Sequence, residues 1–203
     1  KNGWTGDAHL TAPAAFFCFD VAAFFRKWLR DVSDAQRASG EVPPIVPTSD
    51  WGYHEAPMDS PITSPLPAWD AAAVLVPWFH YQFTGDRSVL AEHLAGMVKL
   101  LEYYEAHAEA GIIEDGLGDW AAPDPDQGTA EPPEGPSLTA SAYYYRMTDL
   151  TRRIAATLGK QAIADDLAER AGTIADGFED AFYDAADGIY TTGSAGFRQT
   201  SNV

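Results

Sequence analysis

The sequence predicts an all-α fold built from helical hairpins, and three observations carry that prediction. Apolar residues recur at helical steps over long stretches, glycines placed as left-handed caps separate successive stretches, and no set of strands large enough for a sheet is visible. With 203 residues, 46% hydrophobic and 21% charged, the chain has the apolar material for one globular domain with a real core.

The elements follow in order. Ala8 to Ala38 reads either as one long helix or, with Asp20 positioned as an N-cap for a second helix over Val21 to Gln36, as a hairpin, which is the expectation taken forward. A helix from about Ala68 to Phe83 contains Pro77, whose missing N–H predicts a bend rather than a break. Gly85 closes it. Leu90, Leu94, Met97, Leu101, Tyr104 and Ala108 then lie on one face of the next helix. Tyr143, Met147, Leu150, Ile154 and Leu158 form another, Gly159 ends it, and Ile163, Leu167, Ala171, Ile174, Phe178 and Phe182 form its partner. Ile189 and Tyr190 suggest a short extended pair.

Between the hairpins lie two segments without periodicity. Residues 40–67 hold seven prolines and 111–136 hold five, so most of the 14 prolines are in two loops. Loops of that length in a compact domain are usually functional. If each hairpin turns tightly at one end, the long loops and the starts of the helices that follow them share the opposite end. That rim would collect Trp4 and Asp7, Trp69 and Asp70, and Asp119 and Trp120.

Thirty acidic against 13 basic residues give a net charge of −17, which repels nucleic-acid phosphates and anionic lipid surfaces. Apolar runs such as Ala71 to Phe79 fall well short of the roughly 20 residues of a spanning helix. The single cysteine, Cys18, forms no internal disulfide and reads as a small core residue. His9, His54, His80, His93 and His107 have no metal-ligand spacing, and His80 sits at core spacing. No metal and no cofactor are implied. Trp28 and Trp78 read as core, Trp51 as an anchor for the proline loop, and one of Tyr143, Tyr144 and Tyr145 as a rim residue.

Indole rings beside carboxylates suit a carbohydrate, whose C–H face packs on the ring while its hydroxyls donate to the acids. Cleavage of a glycosidic bond also runs on two carboxyl groups. Asp7 and Asp70, near helix starts where the dipole favours the anion, are better suited as acceptors or bases than as proton donors. Both equally suit plain N-caps.

The motif Gly3-Trp4-Thr5-Gly6-Asp7-Ala8-His9-Leu10 resembles the GWTGDA signature of the bacterial α-L-rhamnosidases of glycoside hydrolase family 78. Phe19-Asp20 with Lys27-Trp28-Leu29-Arg30-Asp31, Pro67-Ala68-Trp69 with Val76-Pro77-Trp78, and Gly116-Leu117-Gly118-Asp119-Trp120 match in the same order, and weaker similarity continues to the last hairpin. The resemblance implies an (α/α)6 barrel, of which three hairpins form about half, and inverting release of terminal α-L-rhamnose. It implies a catalytic, sugar-contacting role for Asp7 and substrate-binding roles for Trp4, Trp69 and Trp120; Asp70 and Asp119, on the same rim, are read as substrate-binding acids beside them. The family places its general-acid Glu just upstream of the residues matching Lys1 and Asn2, and its general-base Glu and a pocket His beyond Val203. In the family's usual Pro-Ala-Trp-Gly-Asp-Ala pattern a Gly separates Trp from Asp; here Asp70 follows Trp69 directly.

The expectation is therefore a partial six-hairpin glycosidase domain over residues 1–203, opening without an initiator Met, which reads as a segment of a longer protein. Its partners would be a rhamnoside and the remainder of the barrel, with self-association through exposed helix faces. The location, cytoplasmic or exported, stays open. Two alternatives remain at this point: a glycosidase of the same fold acting on glucose- or uronate-type sugars, and an open helical-repeat scaffold that binds a protein or peptide.

Overall fold

A computed structural model describes residues 2–48, 53, 65–118, 122–124, 128–130, 135–192 and 199–202. Six long or medium helices pair as three hairpins: α1 (Thr5–Cys18) with α2 (Ala22–Ala35), α4 (Ala72–Thr84) with α5 (Arg87–His107), and α6 (Ser137–Thr157) with α7 (Gln161–Phe182). A one-turn helix, α3 (Pro67–Asp70), precedes α4. Two small antiparallel pairs, β1 (Ala122–Asp124) with β2 (Gly128–Ala130) and β3 (Tyr183–Asp184) with β4 (Ile189–Tyr190), and a final turn α8 (Gln199–Asn202) complete the described elements.

The helices form two rows. α4 packs on both α1 and α6 to make an inner row, with α3 lodged between α1 and α6, while α2 and α5 back α4, and α5 and α7 back α6. Where the rows meet, the core is filled by Leu90, Met97, Leu100, Leu101, Tyr104, Tyr144, Met147 and Ile154, all essentially inaccessible to solvent. On α2 the buried residues Phe25, Trp28, Leu29 and Val32 follow the i, i+3, i+4, i+7 steps of a single face. His80 is a satisfied core histidine, its Nε2 3.2 Å from the Ala22 carbonyl.

Both hairpin glycines adopt the left-handed conformation expected of them, φ +73° at Gly85 and +72° at Gly159. Pro77 is accommodated inside α4, which continues to Thr84. Three expectations are corrected. Asp20 caps nothing: α2 starts a residue later, with Val21 at the N-cap, and its first turn lacks a side-chain acceptor. The helix expected from about Ala68 is divided at Ala71, which keeps right-handed helical angles (φ −53°, ψ −22°), so α3 and α4 follow one another closely. Cys18 is exposed rather than in the core, at the end of α1 where Phe17 and Phe19 are also exposed.

The first proline-rich loop has a structural task that its composition did not disclose. Residues 41–46 are buried and run beside the start of α1. Thr5 N–H and Thr5 Oγ1 both donate to the Pro44 carbonyl (2.8 and 3.1 Å), and Val46 N–H donates to the Gly3 carbonyl (2.9 Å). A Cβ on Gly3 would stand 2.3 Å from the Val46 carbonyl oxygen, so only glycine fits this approach. The same Val46 oxygen accepts from Trp28 Nε1 of α2 at 3.1 Å.

Beneath α3 lies a buried polar pair. The Asp70 carboxylate accepts from the Tyr104 hydroxyl of α5 and, at 3.4 Å, from the Leu66 N–H. Burial and the neighbouring Asp70 charge push the Tyr104 hydroxyl well above the ordinary tyrosine range, so it remains a donor. Tyr104→Phe removes that one oxygen and leaves a carboxylate short of a donor in the interior. It should lower the unfolding free energy by about 2–4 kcal/mol in urea denaturation. A change below about 0.5 kcal/mol would show that the pair contributes nothing net.

Candidate carbohydrate-binding cleft

The N-terminal ends of α1, α3 and α6 open onto a common cleft of about 550 Å³, a size that accommodates a monosaccharide with room to spare. α1 supplies Gly6, Asp7 and Leu10; α3 supplies Ala68 and Trp69; Gly118 contributes from the second loop; and α6 supplies Leu138, Thr139, Ala142, Tyr143 and Arg146. Along α6, Thr139, Ala142, Tyr143 and Arg146 fall at helical spacing, so one continuous face of that helix forms a wall.

Asp7 lies in the first turn of α1 and is exposed to the cleft. It is not an N-cap, because Trp4 holds that position and the helix has no side-chain cap. The indole of Trp69 rests against α1: a Cβ on Gly6 would come within 3.0 Å of Trp69 Cδ1 and Nε1 and 3.2 Å of Cε2. Near-equal distances to three ring atoms mean that the ring lies face-on to the glycine. His9, one turn further along α1, is buried below, with Nε2 2.6 Å from the Ala68 carbonyl oxygen and its ring 5.9 Å from that of Tyr143 in an edge-on arrangement. Burial holds the His9 imidazole below its ordinary pKa, against the bond to the Ala68 carbonyl, which raises it, and with a smaller lowering from the Arg146 charge. Burial also raises the Tyr143 phenol.

Of the residues proposed from sequence, Asp7 and Trp69 share this cleft. Trp4 stands half-buried next to Ile45 and does not line it. Asp70 has no accessible surface and faces Tyr104, away from the cleft. Asp119, Trp120 and the loop residue Trp51 lie outside the described residues; Gly118, directly before Asp119, is at the cleft. Sequence reasoning missed Thr139, His9 and Arg146. It placed the start of the helix containing Tyr143 on the rim and expected one of three consecutive tyrosines there. Tyr143 fills that position, Tyr144 is core and Tyr145 is exposed. Nothing in the local pattern singled out Arg146.

The cleft thus presents a carboxylate, an indole, a phenol, a guanidinium and an aliphatic side chain on one concave surface. Among the described residues no group of three or more His, Cys, Asp or Glu side chains is placed to hold a metal. Among the described residues no helix is long and apolar enough to cross a membrane.

A family model described as the bacterial alpha-L-rhamnosidase six-hairpin glycosidase domain matches residues 1–203. The chain belongs to that family. As a member of the bacterial rhamnosidase family it is 36% identical over 164 residues to an alpha-L-rhamnosidase of Streptomyces avermitilis, a match covering 80% of this chain and 14% of that protein. It is 29% identical over 184 residues to one from Formosa agariphila, covering 90% and 19%. The chain therefore spans less than a fifth of the length of these curated rhamnosidases. Among solved rhamnosidases, that of Dictyoglumus thermophilum superposes with a TM-score of 0.83 at 32% identity, covering 98% of this chain and 21% of that one. The Streptomyces avermitilis enzyme, solved with L-rhamnose, superposes at 0.76 and 32%, covering 93% and 16%. The three hairpins are thus part of the (α/α)6 toroid on which the rhamnosidase family is built.

Proposed function

We propose that these residues form one wall of the sugar pocket of an inverting α-L-rhamnosidase that releases terminal α-L-rhamnose from glycosides. The observation that carries this reading is the meeting of Asp7 and Trp69, distant in sequence, in one cleft with Tyr143. In this reading the deoxysugar's apolar face packs on the Trp69 indole and its hydroxyls donate to the Asp7 carboxylate. Asp7 also belongs to the reacting centre. Arg146 and Thr139 supply donors from the opposite wall. Trp120 and Asp119, which follow Gly118, complete the subsite, and Asp70 acts from below by holding α3, while Trp4, bridged to Ile45, anchors the start of α1 rather than the sugar. The proton donor and general base come from the remainder of the barrel, outside these residues.

A panel of aryl glycosides tests the substrate class in the full-length protein. Turnover of the α-L-rhamnoside should exceed that of the glucoside and glucuronide by at least about a hundredfold, the discrimination available to a site built around particular hydroxyls. Preference for the glucoside or glucuronide would assign the cleft to another glycosidase chemistry on the same toroid.

A further inference from the structure

We propose that His9 is a positioning residue for the sugar platform: by donating Nε2–H to the Ala68 carbonyl it fixes the peptide that carries Trp69 and keeps the indole seated on Gly6. The proposal rests on the reading of Trp69 as a sugar-contacting residue.

Three observations support it. First, the bond has a defined direction. A carbonyl oxygen only accepts, so Nε2 carries the hydrogen and the ring is the Nε2–H tautomer. Second, α3 is too short to hold itself. A single helical turn fixes several dihedral angles for very few internal bonds, so the position of Trp69 depends on tethers from neighbouring elements. On one side of α3 the tether is Asp70 to Tyr104; on the α1 side it is His9 to Ala68. Third, His9 links the three helices of the cleft wall. It belongs to α1, bonds α3 next to Trp69 and meets the ring of Tyr143 on α6 edge-on. It has almost no exposed surface, so it acts from beneath the cleft and not on the sugar itself.

Loss of the donor should let α3 shift against α1 and tilt the indole away from the geometry the sugar requires. Displacements of about an ångström at a binding group carry large penalties. The consequence is weaker rhamnose binding with a smaller effect on turnover of bound substrate.

The test is a double-mutant cycle between His9 and Trp69 in the full-length protein, read by rhamnose dissociation constants from titration calorimetry, with KM and kcat on an aryl α-L-rhamnoside. His9→Leu should weaken rhamnose binding about tenfold and raise KM more than it lowers kcat. His9→Gln, whose amide can donate to the same carbonyl, should recover most of the loss. In a Trp69→Ala background, His9→Leu should change the dissociation constant by less than about twofold, because the group it positions is gone. Should His9→Leu not fold, His9→Asn carries the same cycle, its shorter amide being polar but too short for the carbonyl.

Equal losses with and without Trp69, or no loss in either background, would overturn the positioning role while leaving the platform intact. Rhamnose binding that is unaffected by Trp69→Ala itself would overturn the platform and the role together.

Discussion

Assayed alone, a polypeptide of these 203 residues will cleave a nitrophenyl α-L-rhamnoside at least about ten-thousandfold more slowly than a complete rhamnosidase. Inverting hydrolysis requires one carboxylic acid to protonate the departing oxygen and a second carboxylate, across the sugar, to activate water. Among the described residues that line the cleft, Asp7 is the one carboxylate. In the proposed division of labour Asp7 fills neither role, since the proton donor and the general base both come from the remainder of the barrel. Each missing role costs on the order of 10² to 10⁴ in rate, and the two together place the segment near background. The measurement is a stopped assay with the full-length protein as reference. A rate comparable to that reference would mean that both carboxyls lie within these residues and that the allocation of roles along the barrel is wrong.

The second large effect is at Asp7. In the full-length protein, Asp7→Asn should reduce kcat/KM by about 10² to 10³, the range found when one preorganised polar group is removed from a reacting centre. The same change should cost less than about 1 kcal/mol of stability. Asp7 caps no backbone amide, so folding loses only the modest benefit of an anion in the first turn of α1. Rhamnose titration and a thermal melt on one sample separate the two outcomes. A clear drop in melting temperature with unchanged rhamnose affinity would make Asp7 a helix residue and remove it from the pocket.

The hairpins were legible in the sequence because their signals are local. Gly85 and Gly159 sit where a helix must stop, and the apolar rows of α5, α6 and α7 are long enough to define a face. The rim was legible for a topological reason: tight turns at one end force long loops to the other. Which side chains enter the cleft was harder to read, and Trp69 and Asp70 show why. As neighbours in sequence they looked like a functional pair, yet successive helical residues are about 100° apart around the axis. Once α3 forms, Trp69 faces the cleft and Asp70 must face elsewhere, where it meets Tyr104. His9 and Arg146 were missed because their significance depends on which turn of one helix stands opposite which turn of another, a relation that spacing within either helix does not contain. Cys18 failed on the opposite point. A small apolar residue in a helix indicates burial only if something covers that side of the helix, and at the end of α1 the side chain is open.

The Val46 carbonyl takes an indole N–H from Trp28 in the outer row, and the amide of the same residue grips Gly3 at the entrance to the inner row. Through that one residue, the back of the toroid sets where the first turn of α1, and hence its acid, comes to rest. Engineering of the outer row's packing therefore has to respect a hidden mechanical linkage: a repacked Trp28 is felt at the opposite side of the wall, as a change in how the pocket is aimed.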